Sequence, residues 1–214
     1  MKDAYYASRY TPDPARTVVW KEIVRFLAPY ISPEATVVDL GAGYCDFVNT
    51  VRAKVKYAVD TSPELSEHAG AGVMLISQPA WELNSIPDHS VDVVHASNLF
   101  EHFTDDELER VMAEVRRVLK PGGRLILMQP NYRLTYKNYF DDPTHKKIFT
   151  DASLQAFLES HGFAIRLAKP KFLPFSMKSR GALPVSPLIV RAYIHSPIKP
   201  FAGQMLVIGE LTRA

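Results

Sequence analysis

The segment Tyr139-Phe140-Asp141-Asp142-Pro143-Thr144-His145-Lys146 places a histidine three residues after a pair of carboxylates. Either Asp142 or Asp141 can orient the imidazole of His145 and raise its basicity, the arrangement by which a histidine takes a proton from a hydroxyl. His102, in Phe100-Glu101-His102-Phe103, is a second candidate base. Tyr132, Tyr136 and Tyr139 precede His145 and can wall an acceptor site, because aromatic faces pack well on sugar rings and planar ligands. The spacing predicts Asp142 and His145 as the base pair, His102 as its reserve, and Tyr132, Tyr136, Tyr139 and Asp141 as acceptor contacts. Asp141, Asp142 and His145 also offer oxygen and nitrogen to a divalent ion. The sequence adds neither a second ligand cluster nor an H-E-x-x-H pattern, so no metal is expected.

The other stretch with chemistry in it is Val37-Val38-Asp39-Leu40-Gly41-Ala42-Gly43-Tyr44-Cys45-Asp46-Phe47. An apolar run ending in Gly-x-Gly presents backbone to a nucleotide-like ligand, because glycines turn the chain sharply and let an adenosyl group approach without meeting a Cβ. A dinucleotide fingerprint would need glycine at position 46, where aspartate stands. With Asp39 the loop then carries two carboxylates, which repel a diphosphate and tolerate a cationic sulfonium. Lys56-Tyr57-Ala58-Val59-Asp60 reads as a short strand ending in an acid, at the spacing where a carboxylate accepts ribose hydroxyls. Cys45 sits inside the cofactor loop and is expected to face cofactor or core, not to act as a nucleophile.

Further along, Ser90-Val91-Asp92-Val93-Val94-His95-Ala96-Ser97-Asn98 and Leu119-Lys120-Pro121-Gly122-Gly123-Arg124-Leu125-Ile126-Leu127 follow in order. The ordered set, with Phe100-Glu101-His102-Phe103 between them, resembles the class I S-adenosylmethionine (SAM)-dependent methyltransferases from about Val37 to Gly162. The resemblance implies SAM as cofactor. It also implies contacts from Asp39, Gly41, Ala42 and Gly43 after strand one, Asp60 and Thr61 after strand two, Ala80 and Trp81 after strand three, and Ser97 and Asn98 after strand four. His145 then falls in a loop after strand five, where this family places substrate-contacting insertions. Two positions depart from the family pattern. Cys45 replaces a frequent third glycine, and Pro79, in Ser77-Gln78-Pro79-Ala80-Trp81, stands where an acid usually meets adenine. Adenine recognition would pass to the backbone of Ala80 and Trp81, with the indole as a stacking surface. Arg9 is a candidate partner for the methionine carboxylate.

Those residues have to be positioned by an α/β fold. Strands alternating with helical patterns from Thr36 to Met128 predict βαβ units. The expected architecture is a Rossmann-like, seven-stranded, mostly parallel sheet with helices on both faces, in which the resemblance makes the last strand antiparallel. Thr104-Asp105-Asp106-Glu107 reads as a capping box, Leu108, Val111, Met112, Val115, Val118 and Leu119 as its helix's apolar stripe, and Pro121-Gly122-Gly123 as its stop. A shorter helix is expected from Asp151 to His161, ending at Gly162. Phe163–Leu167 and Met205–Ile208 are expected as the last two strands.

The chain's 214 residues, 47% of them apolar, suit a single domain over 1–214. Within it, 1–35 would be a helical N-terminal cover and 130–150 and 172–201 substrate-side insertions, the second a pocket lid, a subunit contact or a membrane rest. A formal charge of +2 with dispersed basic residues argues against nucleic acid. The single cysteine excludes an internal disulfide, no segment resembles a signal peptide and no run is long enough to span a bilayer, so the cytoplasm is the expected compartment. The expectation is methyl transfer to a small molecule, at a hydroxyl oxygen, with a sugar or glycan precursor among the acceptors. Transfer to nitrogen or carbon and a non-catalytic SAM-binding scaffold are the alternatives, and a homodimer is compatible with either. The Asn-Pro-Pro-Tyr-like tetrapeptide of nucleic-acid amino methyltransferases is missing after strand four.

Overall fold

Apolar residues on both sides of Thr36–Leu40 (β1) fit a strand covered on two faces. In the computed structural model, which describes residues 14–174 and 185–212, β1 lies at the centre of a seven-stranded sheet. Its neighbours are Val55–Val59 (β2), Val73–Ile76 (β3), Val91–Ser97 (β4), Leu119–Pro130 (β5), Phe163–Pro174 (β6) and Ala202–Leu211 (β7). The strand order is β3-β2-β1-β4-β5-β7-β6, parallel throughout except that β7 runs antiparallel to β5 and β6. The order reverses between β1 and β4, and in such sheets ligands occupy the crevice beyond the carboxyl ends of those two strands.

The alternation along each strand sorts side chains between two layers. Val38, Leu40, Val94, Ala96, Leu125 and Leu127 point into one core with Asp105–Val118 (α4) and Asp151–Ser160 (α6). Val37, Val93, Ile126 and Ile208 point into the other, against Pro14–Leu27 (α1), Asp46–Thr50 (α2) and Pro187–His195 (α7). A third small cluster, of Ala42, Cys45, Val48, Ala58 and Leu65, joins α2 to Leu65–His68 (α3). Helix α4 starts on the expected capping box: Thr104 Oγ1 accepts from Glu107 N (3.3 Å) and Glu107 Oε2 accepts from Thr104 N (2.7 Å). It stops at Val118 because Leu119 turns to extended backbone (φ −68°, ψ 136°) and pairs with Val91, so the expected stop Pro121-Gly122-Gly123 lies inside β5 instead.

The largest difference from expectation lies in 172–201. Phe172 and Leu173 are buried as the end of β6, and α7 lies on α1, so the described part of this segment closes a sheet face. Arg191 clamps Glu22 of α1 through Nε (2.8 Å) and Nη2 (3.1 Å), and Glu22 is 4% exposed. No helix among the described residues is long and apolar enough to cross a membrane. Arg9, with the other residues of 1–13, lies outside the described residues.

Candidate active site

The loop from β1 into α2 is held in the left-handed region at Gly41 (φ +65°), Gly43 (φ +49°) and Cys45 (φ +58°). Gly41 N–H and Ala42 N–H both donate to Val59 O, which pins the loop to the end of β2. A Cβ on Gly41 would stand 2.8 Å from Leu99 Cδ1, so the backbone approach at this point needs the missing side chain. Asp60 follows β2 directly. One of its oxygens accepts from Gly43 N–H (2.8 Å) and the other from Ser62 N–H (2.8 Å). Each carboxylate oxygen keeps a second lone pair, which matches the two hydroxyls of a ribose. Across the crevice, Asn98 closes β4 with φ +51°, and its side chain donates to Ser97 Oγ (3.2 Å). Gly41, Ala42, Gly43, Asp60, Thr61, Ser97 and Asn98 therefore gather at one end of the sheet, as expected. Ala80 is buried and Trp81 half-buried. Arg110 lies 4.9 Å over the Trp81 ring and Phe103 packs edge-on at 5.6 Å, so the indole is engaged inside the fold and offers less stacking surface than expected.

The acids of the loop behave differently from a pair of open charges. Asp46 accepts Nε (3.0 Å) and Nη2 (2.6 Å) of Arg16, whose guanidinium also lies 4.8 Å over Tyr44. Asp39 is 3% exposed and accepts Nδ1–H of His95 at 2.7 Å. Burial pushes the Asp39 carboxyl up, and His95 opposes the rise. Both carboxylates are thus engaged by their neighbours, and the acid left to face a ligand is Asp60. The electrostatic exclusion of a diphosphate by Asp39 and Asp46 is corrected accordingly. Sequence reasoning missed His95, although a histidine inside the apolar run Val91–Ala96 is its signal. Cys45 points into the α2–α3 core, and burial followed by the charges of Asp39, Asp60 and Asp46 pushes its thiol up to about 12. A thiol so held stays protonated and is no nucleophile.

The segment expected to form the acceptor side follows β5. Asn131 caps the short helix Tyr132–Thr135 (α5) by accepting Arg133 N–H, and its amide reaches Asp151 Oδ1 and Pro170 O, both at 3.1 Å. Tyr132 N–H donates to Phe149 O (3.0 Å), closing the segment into a loop. Lys146 N–H (2.8 Å) and Lys147 N–H (3.0 Å) then donate to Glu101 O, docking the loop on the 3-10 turn Phe100–His102 that follows β4. This brings His102 and His145 to ring centroids 5.0 Å apart. His145 Nδ1–H donates to Tyr139 O (2.6 Å), and its Nε2 lies 3.3 Å from Asp142 Oδ2. Asp142 Oδ1 accepts from Thr144 N–H (3.1 Å) and Thr144 Oγ1–H (2.7 Å), and Thr144 Oγ1 in turn lies 2.9 Å from His102 Nδ1. The side chains of His145 and Asp142 are 5% and 7% exposed, and Glu101 is 1% exposed.

One expectation about this loop is corrected. Tyr139 is fully buried, its ring 4.4 Å from that of His145 and its hydroxyl donating to Lys147 O, so it supports the histidine from below and cannot wall an acceptor pocket. Burial, and next the charge of Glu101, raise its phenol above the usual range. Asp141 is exposed and accepts from Asn138 Nδ2 (3.1 Å), while Asp142 is the carboxylate at the imidazole. Tyr132 is half-buried, and Tyr136 and Phe140 are each 57% exposed. Phe140 was not foreseen as part of this aromatic surface, and Glu101 had been read only as part of a motif.

Gly41–Gly43 and Asp60 stand at the carboxyl ends of β1 and β2, beside the switch point of a doubly wound α/β sheet, the class of fold that takes ligands at that end. Residues 14–168 match the methyltransferase domain family, and the chain belongs to that family. The described domain is thus a methyltransferase domain. Solved structures share the fold. A SAM-dependent methyltransferase from Archaeoglobus fulgidus superposes with a TM-score of 0.66 at 22% identity, over 89% of this chain and 92% of that one. For a SAM-dependent methyltransferase from Thermotoga maritima the values are 0.65, 24%, 91% and 88%. For one from Mesorhizobium loti they are 0.62, 16%, 88% and 95%. An uncharacterized 37.1 kDa protein in transposon TN4556 of Streptomyces fradiae is 27% identical over 110 residues, which cover 47% of this chain and 31% of that relative. The chain thus spans less than a third of that relative's length.

Proposed function

We propose that this methyltransferase acts on a hydroxyl oxygen of a small molecule, a sugar or glycan precursor in the first instance, in the space between the SAM crevice and the loop from Asn131 to Phe149. The observation that carries the reading is the docking of that loop on Glu101, which sets Asp142, Thr144 and His145 against His102 in the turn that follows β4. When bound, SAM supplies a sulfonium-activated methyl group. An oxygen acceptor must also lose its proton, and the His102–Thr144–Asp142–His145 cluster would supply the base. Asp60 and the Gly41–Gly43 backbone hold the nucleoside, while Tyr132, Tyr136 and Phe140 offer aromatic faces to a sugar ring. An amine acceptor would arrive needing less base, so the buried cluster favours oxygen.

The test is methyl transfer from labelled SAM to a panel of sugars, nucleotide sugars and amines. Turnover on hydroxyl acceptors is expected. His145→Ala and His102→Ala should each lose about a hundredfold in kcat, with S-adenosylhomocysteine affinity held within about threefold. Methylation of amines alone, or unchanged turnover in both variants, would overturn the assignment.

A further inference from the structure

The cluster that the loop completes has the composition and second-layer bonding of a metal centre. A carboxylate oxygen of Glu101 and one ring nitrogen each from His102 and His145 lie within 4.8 Å of one another. The sequence offered His145 with two aspartates and no further ligands. The fold supplies Glu101 and His102 from the turn that follows β4. We infer that Glu101, His102 and His145 hold a divalent first-row transition ion, with Asp142 beside it. The inference rests on the acceptor site proposed above and deepens it: with an ion held there, His102 and His145 would be its ligands, and the acceptor hydroxyl would be acidified by the ion instead of losing its proton to a free imidazole.

The tautomers support this assignment. His145 Nδ1 faces the carbonyl of Tyr139 at 2.6 Å, and a carbonyl can only accept, so Nδ1 carries the proton. His102 Nδ1 faces Thr144 Oγ1 (2.9 Å) and Thr144 O (3.3 Å). The Thr144 hydroxyl hydrogen points to Asp142 Oδ1 at 2.7 Å, which leaves its oxygen to accept from His102. Both imidazoles are therefore set with Nδ1 protonated, and Nε2 is the nitrogen each would bring to an ion. Ligating histidines are held in this way, the second nitrogen donating to a carbonyl or, through a relay, to a carboxylate.

Charge points the same way. Glu101 is 1% and Asp142 6% exposed. A divalent cation held by Glu101 and the two imidazoles would offset the charge of both buried carboxylates. Lys146 and Lys147, the lysines next to His145, turn outward to Glu107 (3.2 Å) and to Asp105. A donor set of two imidazoles and one carboxylate suits zinc, manganese, iron or cobalt, and magnesium much less, since that ion prefers oxygen throughout.

The experiment is equilibrium dialysis of the untagged, chelator-stripped full chain against Zn2+, Mn2+ and Mg2+, with S-adenosylhomocysteine binding measured on the same samples. About one Zn2+ or Mn2+ per chain at micromolar affinity or better is expected, with Mg2+ at least about tenfold weaker. Glu101→Gln, His102→Ala and His145→Ala should each cost about a hundredfold in ion affinity and leave S-adenosylhomocysteine binding in place. No ion on wild type, or ion binding indifferent to the three variants, overturns the inference while leaving the hydroxyl reading standing. An ion bound as expected without turnover on any hydroxyl would overturn that reading instead. Should a variant fail to bind S-adenosylhomocysteine, wild type decides alone. On adding Zn2+ the Nε2 resonances of His102 and His145 must shift, and shifts confined to other histidines count against the site.

Discussion

At Gly41 a single hydrogen in place of a methyl group shapes the crevice. Its φ of +65° costs an L-residue about 1–2 kcal/mol, and a Cβ would meet Leu99 Cδ1 at 2.8 Å. Leu99 is partly buried and can give way at its tip, so the backbone term dominates. Gly41→Ala should therefore lose about 1 kcal/mol of stability by urea titration, and about tenfold in S-adenosylhomocysteine affinity as the loop relaxes away from Val59. Gly41, Gly43, Asp60, Ser97 and Asn98 were legible because turn chemistry is local: a glycine pair, a strand-end acid and their spacing appear in the chain order itself. Glu101 with His145, and Asp39 with His95, could not be paired from spacing alone. They stand 44 and 56 residues apart and meet only once the strands are registered and the loop docks. For the same reason the charges of Asp39 and Asp46 were read as open when His95 and Arg16 already engage them.

At the scale of elements, the connection from β3 to β4 has no regular structure of its own and is tied to α4 largely through Arg117 and Glu114. Arg117 donates to Glu114 (2.8 Å), Asp88 (2.6 Å), Ile86 O (2.9 Å) and Leu83 O (2.9 Å), while Glu114 Oε2 accepts Leu83 N–H (2.9 Å). Hydrogen bonds to charged groups contribute about 1.5–3 kcal/mol, so Arg117→Ala should cost about 2 kcal/mol with Leu83 and Ile86 losing protection against hydrogen exchange. The same network has a pH signature. The Arg117 hydrogen bonds hold the Glu114 carboxyl below its ordinary 4.5. A carboxyl lowered in the fold contributes its stability fully above the unfolded value, and loses it as pH falls through the lowered folded value. Wild type should therefore lose stability below pH 4.5 more steeply than Glu114→Gln, in denaturation curves measured at matched ionic strength. Equal slopes would show that Glu114 is not a source of the acid sensitivity.

Across the whole molecule, the mostly parallel sheet was legible from the alternation of strand and helix patterns, and its antiparallel closing strand from the family resemblance. What escaped was where 172–201 goes. A proline-rich apolar stretch reads equally well as a lid, an interface or a cover, and only the register of β6 on β7 and the packing of α7 on α1 decide. The described part is structural, which bears on cooperativity. The two tryptophans report on opposite faces: Trp20 lies against Phe47 and His95, and Trp81 against Phe103 and Arg110. Arg191→Ala removes one cation from Glu22, which is 4% exposed, and leaves Arg25 at 2.6 Å. Breaking a buried pair costs about 3–5 kcal/mol. Arg191 is 42% exposed and Arg25 remains, so a loss of about 2 kcal/mol is expected. If the α1–α7 layer is part of one cooperative unit, fluorescence of Trp20 in a Trp81→Phe background and of Trp81 in a Trp20→Phe background will show the same fall in urea midpoint on adding Arg191→Ala, each relative to its own parent. A fall at Trp20 alone would mean that the layer opens independently of the sheet, and the Arg16–Asp46 contact from α1 to the cofactor loop would open with it.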